Sequence, residues 1–148
     1  GDLGGRAVSF EGLSFVNGTS DGFGGAVLVE SLSVSIANCS FEGCQSAGGG
    51  AVWVQAVAEE VVGFRGAVMG SRFVDNWATA SEARRGTSWI DDKYGGSGGS
   101  LGVLFGGNLT NSSWDVVDAT FEGGGTLCSW WSEEDTWCGS GRGMGFVV

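Results

Sequence analysis

Histidine and proline are both absent from this chain of 148 residues. Without histidine, the Ser-His-Asp and Cys-His catalytic arrangements and every histidine-ligated metal site are excluded. Basic residues are also scarce: seven lysines and arginines stand against seventeen acids, and the net charge is -10. A chain of this charge repels phosphate backbones and anionic lipids, so we expect no nucleic-acid partner and no anionic membrane surface as a partner. The sequence also has no apolar run of about eighteen residues, the length that a transmembrane helix requires.

Glycine, by contrast, occurs 30 times, about a fifth of the chain against a usual share of about 7%. Hydrophobic residues make up 42% of the sequence, which is enough for a buried core. So much glycine indicates a backbone that turns tightly and often. The chain begins with glycine and has no signal-peptide core, so we interpret it as a mature or excised piece of a longer chain.

A repeated segment marks four equivalent positions with phenylalanine. The stretch AVSFEGLSFVNG at 7–18 superposes without a gap on SVSIANCSFEGC at 33–44. Weaker copies are GAVMGSRFVDN at 66–76 and WDVVDATFEGG at 114–124. The superposition predicts one column of phenylalanines: Phe15, Phe41, Phe73 and Phe121.

A second landmark alternates with the first along the chain. GGAV occurs at 24–27 and again at 49–52, 25 residues later, and looser versions are GGSLGVL at 98–104 and GRGMGFVV at 141–148. Self-similarity at a fixed period is typical of architectures in which successive repeats stack on one another.

Inside each copy the apolar residues alternate, which is the periodicity of a β-strand. The alternation slips by one residue at Gly12 and at Asn38, residue types that adopt a left-handed backbone and let a strand turn a corner. One repeat cannot bury its own apolar side, so the copies must stack, with Val8 beside Val34 and Leu13 buried. We therefore predict an all-β fold, a parallel β-helix (β-solenoid) with about 25 residues per coil and roughly four to five coils. An antiparallel sandwich is the alternative, which the absence of proline disfavours because solenoid strands are paired on both edges.

The pairing of an F-x-x-N or F-x-x-G element with a GGA-[IV] element resembles the repeats of chlamydial polymorphic outer membrane proteins and of related surface repeat proteins in algae and other eukaryotes. The residues that carry this resemblance are FVNG (15–18), FEGC (41–44), FVDN (73–76), FEGG (121–124) and the two GGAV segments. The resemblance implies a right-handed parallel β-helix that serves as a surface-exposed adhesin or structural passenger. It brings no catalytic residue with it.

Two repeats are longer than the others, and both expansions fall between the phenylalanine and the GG landmark. We expect a single β-helix domain over 1–148, or a segment of a longer β-helix, with loop insertions at 77–97 and 124–141 on one edge. Their aromatic side chains are candidate binding residues, and covering an open end of the solenoid is their alternative role. These residues are Trp89, Tyr94, Trp130, Trp131 and Trp137.

Acidic residues in the same two insertions are candidate ligands for calcium, the only cofactor that the sequence suggests. They are Asp91, Asp92, Glu133, Glu134 and Asp135. Neighbouring acids on an extended chain point in different directions, so the alternative is a solvated loop without any cofactor.

The four cysteines form two sequence-local pairs. Cys128 and Cys138 bracket a nine-residue loop, which a disulfide would close, and a pair of free thiols is the alternative. A second bridge between Cys39 and Cys44 is predicted across a bend, and a reduced, buried Cys39 is the alternative because it aligns with Leu13.

Four N-x-[ST] sequons predict glycosylation at Asn17, Asn38, Asn108 and Asn111. Asn38 has an alternative role, stacking on an equivalent residue of the neighbouring coil as asparagine ladders do. Sequons, paired cysteines and acidity together predict a secreted protein, extracellular or at the cell surface.

These observations favour a non-catalytic structural or adhesion module that recognises partners or assembles through its tryptophan-rich loops and solenoid ends. The expected partner is a protein or a neighbouring subunit in a surface assembly, with glycans as a further class. The alternative is a polysaccharide-binding or polysaccharide-degrading β-helix of the pectate-lyase kind. Its chemistry needs two carboxylates in one cleft, and no pair stands out in the sequence.

Overall fold

The computed structural model describes residues 6–80, 98–128 and 144–147, and within these ranges the chain is all-β, without a helix. In chain order the strands are β1 (Ala7–Glu11), β2 (Ser14–Val16), β3 (Val27–Glu30), β4 (Ser33–Ala37), β5 (Ser40–Glu42), β6 (Gln45–Ser46), β7 (Val52–Ala56), β8 (Glu60–Val62), β9 (Arg65–Met69), β10 (Arg72–Val74), β11 (Trp77–Ala80), β12 (Leu101–Phe105), β13 (Asn108–Thr110), β14 (Ser113–Val117), β15 (Thr120–Glu122), β16 (Gly125–Cys128) and β17 (Met144–Val147). The described ranges hold no helix of the length and apolar character that a membrane span needs.

The strands form five sheets, and every pairing between them is parallel. Sheet 1 has the order β1-β4-β9-β14 and sheet 2 the order β15-β10-β5-β2. Sheet 3 is β16-β11-β6, sheet 4 is β17-β12-β7-β3, and sheet 5 is the pair β13-β8. Sheets 1, 2 and 4 thus take one strand from each of four successive repeats, whereas sheets 3 and 5 take strands from three and two of them. Equivalent strands stack in parallel, as predicted, and this arrangement is compatible with a β-solenoid.

Sheet 1 defines where each repeat begins: repeat 1 at Ala7, repeat 2 at Ser33, repeat 3 at Arg65 and repeat 4 at Ser113. The predicted partnership of Val8 with Val34 is confirmed. Successive repeats are shifted by 26, 32 and 48 residues, so the period of about 25 is right only for the first. One reason is sheet 5, whose strands β8 and β13 lengthen repeats 2 and 3 between sheet 4 and sheet 1.

The predicted phenylalanine column is confirmed in sheet 2. Its four rings lie in register, and their centroids are 4.9, 4.8 and 4.7 Å apart with interplanar angles of 4°, 8° and 9°. These distances follow the spacing of neighbouring strands, because each ring stands on its own strand and stacks on the ring of the next repeat. Phe41 and Phe73, in the middle of the column, are fully buried.

The predicted left-handed corners at Gly12 and Asn38 are present. They belong to one column of corners, and a second column that was not predicted lies on the other side of sheet 2. Between sheets 1 and 2 the corner residues are Gly12, Asn38, Gly70 and Asp118, with φ of 66°, 52°, 57° and 52°. Between sheets 2 and 3 they are Asn17, Gly43, Asp75 and Gly123, with φ of 55°, 65°, 51° and 58°. Only glycine, asparagine and aspartate occupy these positions because they tolerate this backbone better than other residues do.

The GGAV landmark is a place where two segments of backbone touch. A methyl group on Gly50 would collide with the carbonyl oxygen of Gly99 and would lie 2.7 Å from the backbone nitrogen of Trp77. Because the obstacle is backbone, no side-chain rotation could relieve it. The landmark therefore keeps glycine where the chain enters sheet 4, and its predicted alignment is confirmed: Val27, Val52, Leu101 and Met144 are in register.

One apolar cluster fills the space between the sheets, and its centre lies in repeats 2 and 3. Repeat 1 lies at the edge of the sheets, so Leu13, predicted to be buried, is 45% exposed. Its register equivalent Cys39 has a repeat on either side and is buried. Large and small residues also complement each other across repeats: the Trp114 ring occupies the space that a side chain on Gly66 would need.

The predicted insertions begin later than expected. The first residues of each form strands, β11 and β16, which pair with one another from Trp77 and Gly125 to Ala80 and Cys128. Sheet 3 continues into both insertions because backbone N–H groups are hydrogen-bonded across its strands. The N–H of Trp77, for example, donates to Cys44 O at 2.8 Å. The remainder of both insertions lies outside the described residues.

Candidate interaction surface

The two insertions connect the same pair of sheets. Segment 81–97 follows β11 of sheet 3 and precedes β12 of sheet 4, and segment 129–143 does the same between β16 and β17. Their starting points, Ala80 and Cys128, are register partners, and so are Leu101 and Met144 in the strands that follow them. Both insertions therefore leave and re-enter the sheets at neighbouring points along one edge, as their position in the repeat predicted.

The aromatic and acidic candidates belong to these insertions and lie outside the described residues. They are Trp89, Tyr94, Trp130, Trp131 and Trp137 for binding, and Asp91, Asp92, Glu133, Glu134 and Asp135 for calcium. Cys138 lies outside as well, so the predicted bridge from Cys128 stays a prediction. In the part of the chain that the structure describes, no three histidine, cysteine or acidic residues come together as a metal site would require.

Next to this edge, the outer face of sheet 4 is apolar. Trp53 points away from the main core and is nevertheless fully buried, with its ring 4.4 Å from that of Phe23. Its Nε1 donates to Gln55 Oε1 at 3.0 Å, and Gln55 Nε2 donates in turn to Glu30 Oε2 at 3.3 Å. A buried ring with a satisfied N–H supports the sheet and is not available to a ligand. Sequence reasoning missed this second packed face, although the unbroken apolar run at 52–54 in β7 is a signal for a strand buried on both faces.

All four sequon asparagines are exposed. Asn17 and Asn38 occupy left-handed corners on either side of sheet 2, and Asn111 occupies a third corner, with φ of 46°, between sheets 5 and 1. Asn108 is the first residue of β13 and not part of a loop. Three successive corners of the fold thus carry a sequon.

Asn38 does not form an asparagine ladder, because its register equivalents in the neighbouring repeats are Gly12 and Gly70. Its side chain lies over Gly70 instead, where a methyl group would be 2.5 Å from Asn38 Oδ1. Asn111 has a different neighbour: the Arg65 guanidinium donates to its carbonyl oxygen and lies 3.5 Å from its Oδ1.

A buried asparagine links three segments inside the fold. Asn76 is fully buried at the sheet 2 to sheet 3 turn of repeat 3. Its Nδ2 donates to Phe41 O at 3.0 Å, and its Oδ1 accepts from the Cys44 backbone N–H at 2.9 Å. A second contact of Nδ2, 3.5 Å long, reaches Ser100 Oγ. Asn76 thereby satisfies backbone groups of the preceding repeat that would otherwise be buried without partners.

The predicted disulfide between Cys39 and Cys44 is wrong, because both cysteines are free and buried. Strand β5 lies between them and spans about 10 Å, beyond the Cα separation of about 7 Å that a disulfide tolerates. Their thiols contact backbone oxygens instead: Cys39 Sγ donates to Ala37 O at 3.3 Å and Cys44 Sγ to Glu42 O at 3.7 Å. The alternative, a small buried apolar residue, describes Cys39 correctly.

Burial raises the pKa of the Cys44 thiol, against the smaller opposing effect of backbone hydrogen bonds. We expect Cys44 to resist iodoacetamide in the native protein and to react on unfolding, because the thiolate is the nucleophile. The unfolded thiol ionises first as pH rises, so this group's contribution to stability is complete below the ordinary thiol pKa and is lost above it. Peptide mapping of alkylated protein at pH 7 and pH 9, with and without urea, measures both effects. Rapid labelling of native Cys44 at neutral pH would contradict the buried position.

The edge between sheets 3 and 4 consists of strands paired in register, and it holds both ends of the two long segments. The corners of the fold carry the exposed side-chain amides of three sequon asparagines. No protein-family model, curated protein or solved structure shows significant similarity to the chain.

Proposed function

We propose that the chain is a right-handed parallel β-helix that acts, without catalysis, as a structural or adhesion module outside the cell or at its surface. The observation that carries this proposal is the stacking of equivalent strands in parallel sheets around a core filled by side chains. An interior packed with phenylalanine and valine supports an extended rigid body. Such bodies serve binding and assembly through their outer faces, inserted loops and ends.

Recognition is assigned to the tryptophan-rich insertions. Two facts support this: both insertions leave from one edge, and the strands that hold them are paired in register. A rigid base lowers the entropic cost of presenting loops, and tryptophan and tyrosine contribute much of the energy at protein interfaces. The proposed partner is therefore a protein or a neighbouring subunit, with surface glycans as the second class.

The extracellular location is supported by the exposure of all four sequon asparagines. At Asn17 and Asn38 it is Oδ1 that faces the next repeat, so Nδ2, the atom that carries an N-glycan, points away from it. A glycan at either corner would project beside sheet 2 without displacing a strand.

We expect protein isolated from the cells that produce it to be heavier than the bare chain of 15.1 kDa and to lose mass on enzymatic removal of N-glycans. Peptide mapping should locate glycans on sequon asparagines and none on Asn76, which has no sequon and is buried. Mild proteolysis of intact cells is the matched test of location and does not depend on glycosylation.

Surface location is contradicted if the chain carries no glycan and survives protease on intact cells but not on lysed ones. Release of reducing or unsaturated ends from acidic polysaccharides would contradict the non-catalytic part of the proposal. Each part therefore has its own decisive measurement.

A further inference from the structure

Glycine alternates with asparagine or aspartate along the two left-handed corner columns beside sheet 2. The left-handed column that leads into sheet 4 is glycine throughout: Gly24, Gly49 and Gly98. Between sheets 1 and 2 the order from repeat 1 to repeat 4 is Gly, Asn, Gly, Asp, and between sheets 2 and 3 it is Asn, Gly, Asp, Gly. The shorter column beside sheet 5, Gly63 and Asn111, has the same alternation. Glycine or asparagine alone would satisfy the backbone at each corner, so the alternation has another cause.

The cause is the direction in which the polar side chains lie. Each reaches over the corner glycine of the following repeat: Asn17 over Gly43, Asn38 over Gly70, and Asp75 over Gly123. A methyl group on Gly43 or Gly70 would be 2.5 Å from the amide oxygen above it. Each such glycine thus leaves room for the side chain of the preceding repeat.

Repeat 1 has the same kind of space without an occupant from the described residues. A methyl group on Gly12 would meet no atom within 4 Å, although Gly12 is in register with Gly70, where Asn38 fills that space. At the other end of the column, Asp118 has the left-handed backbone and the exposure of the residues that reach over a glycine. The two ends of the stack are therefore complementary.

We propose that a second copy of this chain stacks head to tail on the first, with its repeat 1 in register with repeat 4. This inference rests on the proposed function and specifies how the structural module assembles. Both corner columns then continue their alternation, since Gly12 of the second copy lies beneath Asp118 and its Asn17 follows Gly123. The phenylalanine column continues as well, from Phe121 to the next Phe15.

Side chains on the two outer strands match in this register. Asp115 lies opposite Ser9 of the second copy, Glu122 opposite Val16, and Val117 opposite Glu11, so no acid directly opposes another acid. This match is informative in a chain of charge -10, because like charges facing each other across a strand pair are destabilising.

Apolar side chains at both ends gain cover in the same register. Leu13 is 45% exposed at one end of the stack and Val116 is 38% exposed at the other. Their register equivalents inside the stack, Cys39 and Val68, are buried. The outer edges of β1 and β14 present backbone groups that pair in the joined sheet. The contact joins two different surfaces and continues the sheets in one direction, so it builds linear stacks rather than closed rings.

The test compares two glycine variants of equal chemistry by analytical ultracentrifugation over a concentration series. Gly12→Asp places a Cβ in the space that Asp118 of the neighbouring copy would occupy and adds a second carboxylate beside it. Gly63→Asp is the matched control: its φ of 72° is similar, a methyl group there also meets no atom within 4 Å, and it lies away from the stacking ends. Wild type and Gly63→Asp should form stacks that grow with concentration, and Gly12→Asp should associate at least about tenfold more weakly.

A compensating variant tests the same contact from the other side. Adding Asp118→Gly to Gly12→Asp should restore association because it removes the opposing charge.

A second pair of variants covers the event that Gly12→Asp does not fold. Ser9→Asp faces Asp115 of the neighbouring copy and should also weaken association about tenfold, whereas Ser35→Asp occupies the same row of sheet 1 inside the stack and should not. Equal association of test and control variants overturns the corner pairing while leaving assembly itself intact. A wild-type chain that is monomeric at every concentration overturns head-to-tail stacking. Neither result bears on the proteolysis of intact cells, which tests the proposed function separately.

Discussion

Phe41→Ala is expected to lower the free energy of unfolding by about 4 kcal/mol. Phe41 is fully buried and stacks on Phe15 and Phe73 with centroid distances of 4.9 and 4.8 Å. Removing its ring takes away apolar burial and two stacking contacts and leaves a cavity between strands that the sheets hold at a fixed spacing. The repeats cannot move together to fill the cavity because backbone hydrogen bonds maintain their separation.

Phe15→Ala is the matched control, since it removes the same ring from the same column. Phe15 is only partly buried and stacks on one phenylalanine, so we expect a loss of about half that of Phe41→Ala. Urea denaturation followed by tryptophan fluorescence gives both values, at protein concentrations low enough that the copies do not stack. Equal losses at the two positions would contradict a packed column with a protected centre and an open end.

Asn76→Asp is expected to destabilise the protein by about 3 kcal/mol at neutral pH. The substitution keeps the shape of the side chain and its acceptor toward Cys44 N–H, but it removes the donor to Phe41 O. A carboxylate would then face that carbonyl oxygen inside a fully buried site. Both changes act on the folded state and leave the unfolded chain almost unaffected.

The destabilisation caused by Asn76→Asp should shrink as pH falls. Burial raises the pKa of the introduced carboxyl group, and its protonated form regains a donor for Phe41 O. A group whose folded pKa is raised contributes stability below the unfolded pKa and loses it as pH rises through the folded value. Denaturation at pH 3.5 and pH 7 measures the change relative to wild type. Asn38→Asp is the control, because the same change at an exposed corner should cost less than about 0.5 kcal/mol of stability at both pH values. A loss of stability in Asn76→Asp that is equal at pH 3.5 and pH 7 would contradict the buried hydrogen-bond network.

The sequence predicted the parts of the fold that recur. The phenylalanines of sheet 2, the valines of sheet 4 and the corners at Gly12 and Asn38 each appear in several copies, so alignment alone placed them in register. Sheet 5 was not predicted because, among the described residues, it takes strands from two repeats only and these strands are three residues long. One signal for an additional corner was available in the sequence: Gly63 and Asn111 each stand two residues before a strand of sheet 1.

Single features were harder to predict than repeated ones. The bridge between Cys39 and Cys44 was proposed from spacing along the chain, whereas the strand between them holds the thiols apart. The F-x-x-N element marks Asn76 in the sequence, but its role depends on contacts with residues 41, 44 and 100, which the motif does not reveal. The candidate binding residues followed from composition, and the common edge from which their segments depart followed from the position of both insertions in the repeat.

The unequal lengths of the repeats bear on how such a sequence can change over time. Register partners in sheet 1 are 26 residues apart at one end and 48 at the other, yet the strands they join are equally long and equally paired. Because the entropy of closing a loop grows only with the logarithm of its length, the longest repeat costs about 0.5 kcal/mol more to close than the shortest. Segments that enter between sheets 3 and 4 can therefore lengthen, shorten or exchange their sequence at little thermodynamic cost. Selection on this protein can act on its variable edge almost independently of selection on the framework that supports it.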